Sequence, residues 1–156
     1  PVLGYFLGCT FSNVVSSFNQ TLEQNVLDHV WGGQATGLPG NTDDWYIGLS
    51  TTTISNDGTG ITEPEDGYAR AQITNNLAAW PAASGGGPAT KQNANEIAFP
   101  MATGSWGTVT HFFFSDSSTL TAAANIFAFA ALDVPRTIEA NDTASFAAQA
   151  ITITLD

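Results

Sequence analysis

The chain has 156 residues, of which 43% are hydrophobic and 11% charged, the balance of a folded globule rather than of a disordered chain. This length fits one domain, and a domain of this size can bury one ordinary core. Fourteen acidic residues against three cations give a formal net charge of −11, so no nucleic acid and no membrane is predicted as a partner, because both need a basic patch.

The first 17 residues are predicted to form an apolar arm. A signal peptide starts with basic residues, whereas the first cation here is Arg70, and polar residues interrupt the arm too often for a membrane span. The arm has no clear helical period, so we expect it to add an extended segment to another subunit or to a partner protein. The alternative is an ordinary first strand of the chain's own fold. The predicted partner-contact residues are Val2, Leu3, Tyr5, Phe6, Leu7 and Phe11.

One helix is predicted near residues 19–31. An apolar stripe at helical spacing runs through Phe18, Leu22, Val26, Leu27 and Val30. Thr21 and Gln24 form a capping box at its start, and a pair of glycines at 32–33 ends it.

From Trp45 onward, short strand-like runs alternate with turn residues. About eight strands are predicted, at 45–50, 68–74, 96–99, 108–115, 125–132, 137–138, 145–147 and 150–155. Helices and strands do not alternate, which argues against a parallel α/β sheet. We therefore predict a mainly β fold, an antiparallel β-sandwich of jelly-roll type, with residues 18–156 as one domain.

The chemistry of an enzyme is not evident. The two histidines, His29 and His111, lie in the predicted helix and in a predicted strand, where a structural role is expected for each. Cys9 is the single cysteine, so neither a disulfide within the chain nor a cysteine-based metal site is expected. We predict no catalytic residue, no metal site and no cofactor.

Two weaker alternatives concern calcium and sugars. The acids Asp57, Glu63, Glu65 and Asp66 could form an oxygen cage for Ca²⁺, but they lack the spacing of an EF-hand. The tryptophans Trp45, Trp80 and Trp106 could stack on sugar rings, although core or interface packing is the simpler interpretation.

Four blocks of sequence carry a resemblance to a known family. The first is TLEQNVLDHVWGG (21–33) followed by WYIGLST (45–51), and the second is GTGITEP (58–64) leading into GYAR (67–70). The third and most specific is FPMATGSWGTVTHF (99–112). The fourth runs from AALDVP (130–135) through DT (142–143) to ITITLD (151–156). Together they resemble small structural proteins of tailed-phage virions, often labelled tail-fibre or virion proteins.

The resemblance implies a virion component with no catalytic residues to carry over. The chain departs from the family pattern in its long apolar arm and at Gln149, where a small Gly-like turn residue is expected. Our first hypothesis is a homo-oligomeric capsid decoration (cement) protein, dimeric or trimeric, that binds the major capsid protein or other virion proteins on the outside of the head. A tail-fibre or baseplate component and a carbohydrate-binding β-sandwich module are the alternatives.

Overall fold

A computed structural model of the chain describes residues 5–6, 44–84, 89–119 and 126–155, and this part is mainly β. Its nine strands are β1 (Tyr5–Phe6), β2 (Asp44–Ser50), β3 (Ala71–Thr74), β4 (Ala89–Gln92), β5 (Ile97–Ala98), β6 (Gly107–Ser115), β7 (Ile126–Ile138), β8 (Ala144–Phe146) and β9 (Thr152–Leu155). Within these ranges no helix is long and apolar enough to cross a membrane. The helix predicted near residues 19–31 lies outside the described residues.

The largest sheet has four strands in the order β3-β2-β6-β7, and every pair in it is antiparallel. Strand β6 lies in the middle, and its Phe113 stands opposite Gly48 on β2 and Phe129 on β7. The expected antiparallel pairing is therefore confirmed for this sheet.

The remaining strands form two small sheets. Strand β8 pairs with β5 in antiparallel and with β1 in parallel orientation. Strands β4 and β9 form an antiparallel pair. Strand β4 was not predicted, because its sequence, ATKQ, has no large apolar residue; its partner β9 is the strand with strict alternation. Pairing with β9 thus overrides the weak local preference of β4.

Both faces of the four-stranded sheet are covered by apolar side chains. Phe112 and Phe114 point into the main core, which draws residues from all three sheets. Phe113 points to the opposite face, into a second cluster with Ile54 and Ile126. The run of three phenylalanines thus reflects burial on both faces of a central strand.

Three of the predicted strand runs have clearly different boundaries in the structure. The run 68–74 begins only at Ala71, because Tyr68 and Arg70 precede the strand and turn inward. The two runs 125–132 and 137–138 are parts of one strand, β7, whose register with β6 shifts between them. Such a shift is a β-bulge, and it accommodates Pro135, which has no N–H to pair.

Candidate functional site

The predicted partner-contact arm is described only at Tyr5 and Phe6. Their backbone forms β1, which pairs in parallel with Ala144 and Ser145 of β8. Val2, Leu3, Leu7 and Phe11 lie outside the described residues.

A buried ionic centre forms around Arg70, just before β3. Its side chain is 1% exposed, and its Nε donates to Glu63 Oε1 at 2.8 Å. Nη2 donates to Glu63 Oε2 at 2.9 Å, so the carboxylate holds the guanidinium through two bonds. Nη1 donates to Ser115 Oγ at 3.1 Å and to the carbonyl oxygen of Ser117 at 2.7 Å. The guanidinium carbon lies 4.8 Å from the centre of the Phe113 ring, a cation–π contact.

Tyr68 joins this centre to the sheet. Its hydroxyl donates to Glu63 Oε1 at 3.0 Å and accepts from the backbone N–H of Leu49 at 2.8 Å. Burial, assisted by the negative charge of Glu63, raises the pKa of Tyr68. The hydroxyl therefore stays protonated and remains a donor to the carboxylate.

Aromatic contacts tie Tyr68 to the third sequence block. The centre of its ring lies 5.3 Å from that of Trp106, in an edge-on contact. It lies 6.3 Å from the centre of the Phe99 ring, to which it is nearly parallel. The indole Nε1 of Trp106 donates to the carbonyl oxygen of Asp66 at 3.1 Å. The second and third blocks are therefore packed against each other, although some 30 residues separate them in the sequence.

Three loops meet beside this centre and are joined through their backbones. The N–H of Thr103 donates to the carbonyl of Asp66 at 2.9 Å. The N–H of Ala102 donates to the carbonyl oxygen of Asp142 at 2.9 Å. In return, the N–H of Asn141 donates to the carbonyl oxygen of Ala102 at 2.8 Å. Asp66 and Asn141 have positive φ angles of 49° and 68°, which Asp and Asn tolerate better than most residues.

This centre was not predicted from the sequence. Arg70 was placed within the predicted strand 68–74, and Glu63 was grouped with the loop acids considered for Ca²⁺. The available signal was that Glu63, Tyr68 and Arg70 lie close together in one sequence block. The chain has two arginines, and one of them is in this block. Arginine is the cation suited to a buried bidentate pair with a carboxylate.

The four acids considered for Ca²⁺ do not converge. Glu63 faces Arg70 and Tyr68, whereas Asp57 accepts from the N–H and hydroxyl of Thr59 at 3.0 and 2.7 Å. The hydrogen bond donated by the Thr59 hydroxyl lowers the pKa of Asp57. Among the described residues, no group of three or more His, Cys, Asp or Glu side chains could hold a metal ion.

His111 lies in β6 opposite Ser50 and Ala131 and is partly buried. Its Nδ1 is 2.8 Å from the hydroxyl oxygen of the neighbouring Thr110. Burial lowers the pKa of His111. The pair fixes the imidazole in the strand, and the structure places no carboxylate of the described part against it to orient it as a general base.

Two of the three tryptophans considered for sugar stacking are core residues. Trp80 and Trp106 are 7% and 3% exposed, and Trp80 packs edge-on against Phe114 at 5.8 Å. Trp45 is partly buried and packs against Phe127 at 5.2 Å. The expected core role is confirmed for Trp80 and Trp106, which leaves neither as a platform for a sugar ring.

Residues 17–154 match the family described as podophage GP4 fiber I protein gp80. No curated protein matches the chain. The match includes all four sequence blocks almost entirely, and the Arg70 centre and the three loops joined to it lie within it. The chain therefore belongs to the podophage GP4 fiber I protein gp80 family and is a structural protein of a tailed-phage virion.

Proposed function

We propose that this chain is a non-enzymatic component of a virion fibre. The observation that carries the proposal is the family match, which spans residues 17–154 and whose description names a fibre protein. The described site is consistent with a structural task, because its charged and aromatic groups contact one another and join loops. A rigid domain of this kind presents fixed surfaces for assembly.

The fibre role takes precedence over capsid decoration, the first hypothesis from the sequence. Both would use the same acidic β domain, and the family description is what favours the fibre. Copy number separates the two roles. We expect a handful to a few dozen copies per purified particle, quantified against the major capsid protein, with antibody label at the tail. Hundreds of copies and label over the head would instead establish a decoration protein.

The absence of enzymatic activity is also a proposal. His111 is the histidine within the described residues, and its contact is with Thr110 rather than with an acid. We expect His111→Ala to leave any sugar or ester cleavage by purified particles unchanged and to affect folding or assembly alone. Reproducible loss of such cleavage in a folded variant would contradict a purely structural role.

We further propose that the arm, residues 1–17, contacts another subunit or virion protein in addition to the pairing of Tyr5–Phe6 with β8. This segment holds several large apolar side chains, and each stabilises by about 1.5–3 kcal/mol when buried. Deletion of residues 1–12 should leave a soluble, folded domain that no longer oligomerises or binds particles lacking it. Loss of β-structure and aggregation would show instead that the arm, through β1, belongs to the chain's own core.

The sheets are proposed to pack as a jelly-roll-like sandwich. The support is the main core, which contains Ile47 and Phe112 of the large sheet together with Phe146 of β8. An experimental structure should then show the β1-β8-β5 sheet facing the large one at about 10 Å. Sheets that meet edge to edge would contradict the sandwich.

A further inference from the structure

The three cations of the chain have very different surroundings. Arg70 is buried against Glu63, and the Lys91 amine donates to the carbonyl oxygens of Trp80 and Pro81, both at 3.1 Å. Arg136 is exposed on β7 and forms no ion pair with any described residue. Arg136 is therefore the guanidinium that the described surface presents to a partner.

Arg136 lies at the end of a protruding segment of β7. Val109 on β6 faces Arg136, while His111, two residues on, faces Ala131. The four residues 132–135 of β7 thus stand opposite Thr110 alone, and the strand must bow outward there. Val134, within this bulge, is 54% exposed and is one of three exposed large hydrophobic residues in the described part.

The bulge is held firmly at both ends. Leu132, its first residue, is 5% exposed, and Ile138 after it is fully buried. The hydroxyls of Thr137 and Thr108 lie 2.9 Å apart across the two strands. An apolar and a cationic side chain are therefore presented about 7 Å apart along a strand that is anchored at both ends.

We infer that Val134 and Arg136 form the centre of the contact between two copies of this chain. Copies with a formal charge of −11 repel each other, and this repulsion is least where the exposed cation of one copy meets a carboxylate of the next. Arginine is also enriched at protein interfaces and among the residues that dominate binding energy. The inference rests on the proposed fibre role only in that a fibre contains several copies.

The contact works through side chains rather than by extending the sheet. Pro135 has no N–H, and the bulge disrupts the regular edge that a strand of a second copy would need. The same features that prevent open-ended sheet growth at this edge leave Val134 and Arg136 projecting.

The test is the association of the purified full-length chain, followed by analytical ultracentrifugation. We expect a reversible oligomer whose dissociation constant rises at least about tenfold in Arg136→Gln. The matched control is Gln72→Glu, an exposed change on β3 that alters the net charge by the same amount. General repulsion would weaken both variants equally, whereas a local contact weakens Arg136→Gln alone.

A second pair of variants tests the apolar half of the contact. Val134→Ser should weaken association by a similar factor, while Leu77→Ser, at a residue 68% exposed in the turn before Trp80, should not. Circular dichroism and the unfolding midpoint of each variant show whether the domain is intact.

Three results would overturn the inference: a wild-type chain that is monomeric at high concentration, equal effects in a variant and its control, or no effect in either variant. A monomeric chain whose incorporation into particles depends on Arg136 would assign the contact to a different virion protein. The fibre role is judged separately, by copy number and position in the particle, so either idea can fail alone.

Discussion

Glu63 holds Arg70 through both of its carboxylate oxygens, and the Arg70 side chain is 1% exposed and that of Glu63 17%. Charges removed from water are costly, and here the cost is offset because the guanidinium also donates to Ser115 and Ser117. A buried pair of this kind is far more sensitive to the loss of one partner than an exposed pair is.

Replacing Glu63 with glutamine should therefore be strongly destabilising. The variant keeps the shape of the side chain but leaves the Arg70 charge without its counter-ion, and we expect the free energy of unfolding to fall by about 2–4 kcal/mol. Denaturant titration measures it. Glu65→Gln, the same chemical change at an exposed position, should stay within about 0.5 kcal/mol of wild type. Similar losses in both variants would mean that the buried pair contributes nothing special.

Gly48 and Phe113 provide a second test, because the ring lies directly over the glycine. A Cβ placed on Gly48 would come within 2.6 Å of both Cε atoms of the ring. Gly48→Ala should lower the free energy of unfolding by about 2–3 kcal/mol, since the ring is fully buried and has little room to move.

The smaller side chain in Phe113→Leu should accommodate this methyl group. The double variant should then lose clearly less stability than the sum of the two single changes. Gly107→Ala serves as control, because a Cβ at this position meets no atom within 4 Å and crowding is absent. Its positive φ of 71° alone should cost about 1 kcal/mol. Additive losses at Gly48 and Phe113 would argue against direct crowding.

Periodicity predicted the strands wherever packing follows the local pattern. Strand β6 and the alternating strand β9 were found because each carries its own apolar signal. Strand β4 was not predicted, because it is formed by pairing with β9, which lies some 60 residues further along the chain. The bulge in β7 was likewise read as a gap between two strands, because Pro135 interrupts the pattern.

The Arg70 centre was missed for a related reason. A charged side chain is expected outside unless its partner is known, and a partner that is distant in the sequence cannot be identified from one sequence. In this case the partner, Glu63, is only seven residues away, but the turn that brings the two together passes through Gly67, and its geometry is not encoded in any periodic pattern.

The expectation of a Gly-like residue at position 149 has a clear structural basis. Gln149 has a φ of 63°, in the left-handed region, where its N–H donates to the carbonyl of Asn93 at 2.8 Å. Gln149→Gly should raise the free energy of unfolding by up to about 1 kcal/mol, because relief of backbone strain exceeds the added freedom of the unfolded chain.

Ala148→Gly is the matched control for that change. Ala148 is exposed and does not have a positive φ, so the same added freedom should lower stability by about 0.5–1 kcal/mol. Thermal unfolding of both variants distinguishes the two effects. A loss of stability in Gln149→Gly equal to that in Ala148→Gly would show that position 149 carries no strain.

The last prediction concerns the pH dependence of stability at His111. Burial lowers the pKa of His111 below its usual value of 6.5, so at mildly acidic pH the unfolded chain binds a proton more readily than the folded chain does. The free energy of unfolding should therefore fall as the pH drops below about 6.5 and should recover above it. His111→Asn keeps a polar atom near Thr110 but cannot titrate, so its stability should fall less than that of wild type between pH 7.5 and 5. Both proteins retain His29, which leaves His111 as the difference between them. Denaturant midpoints across this pH range measure the effect, and parallel profiles for the two proteins would show that the protonation of His111 is not linked to folding.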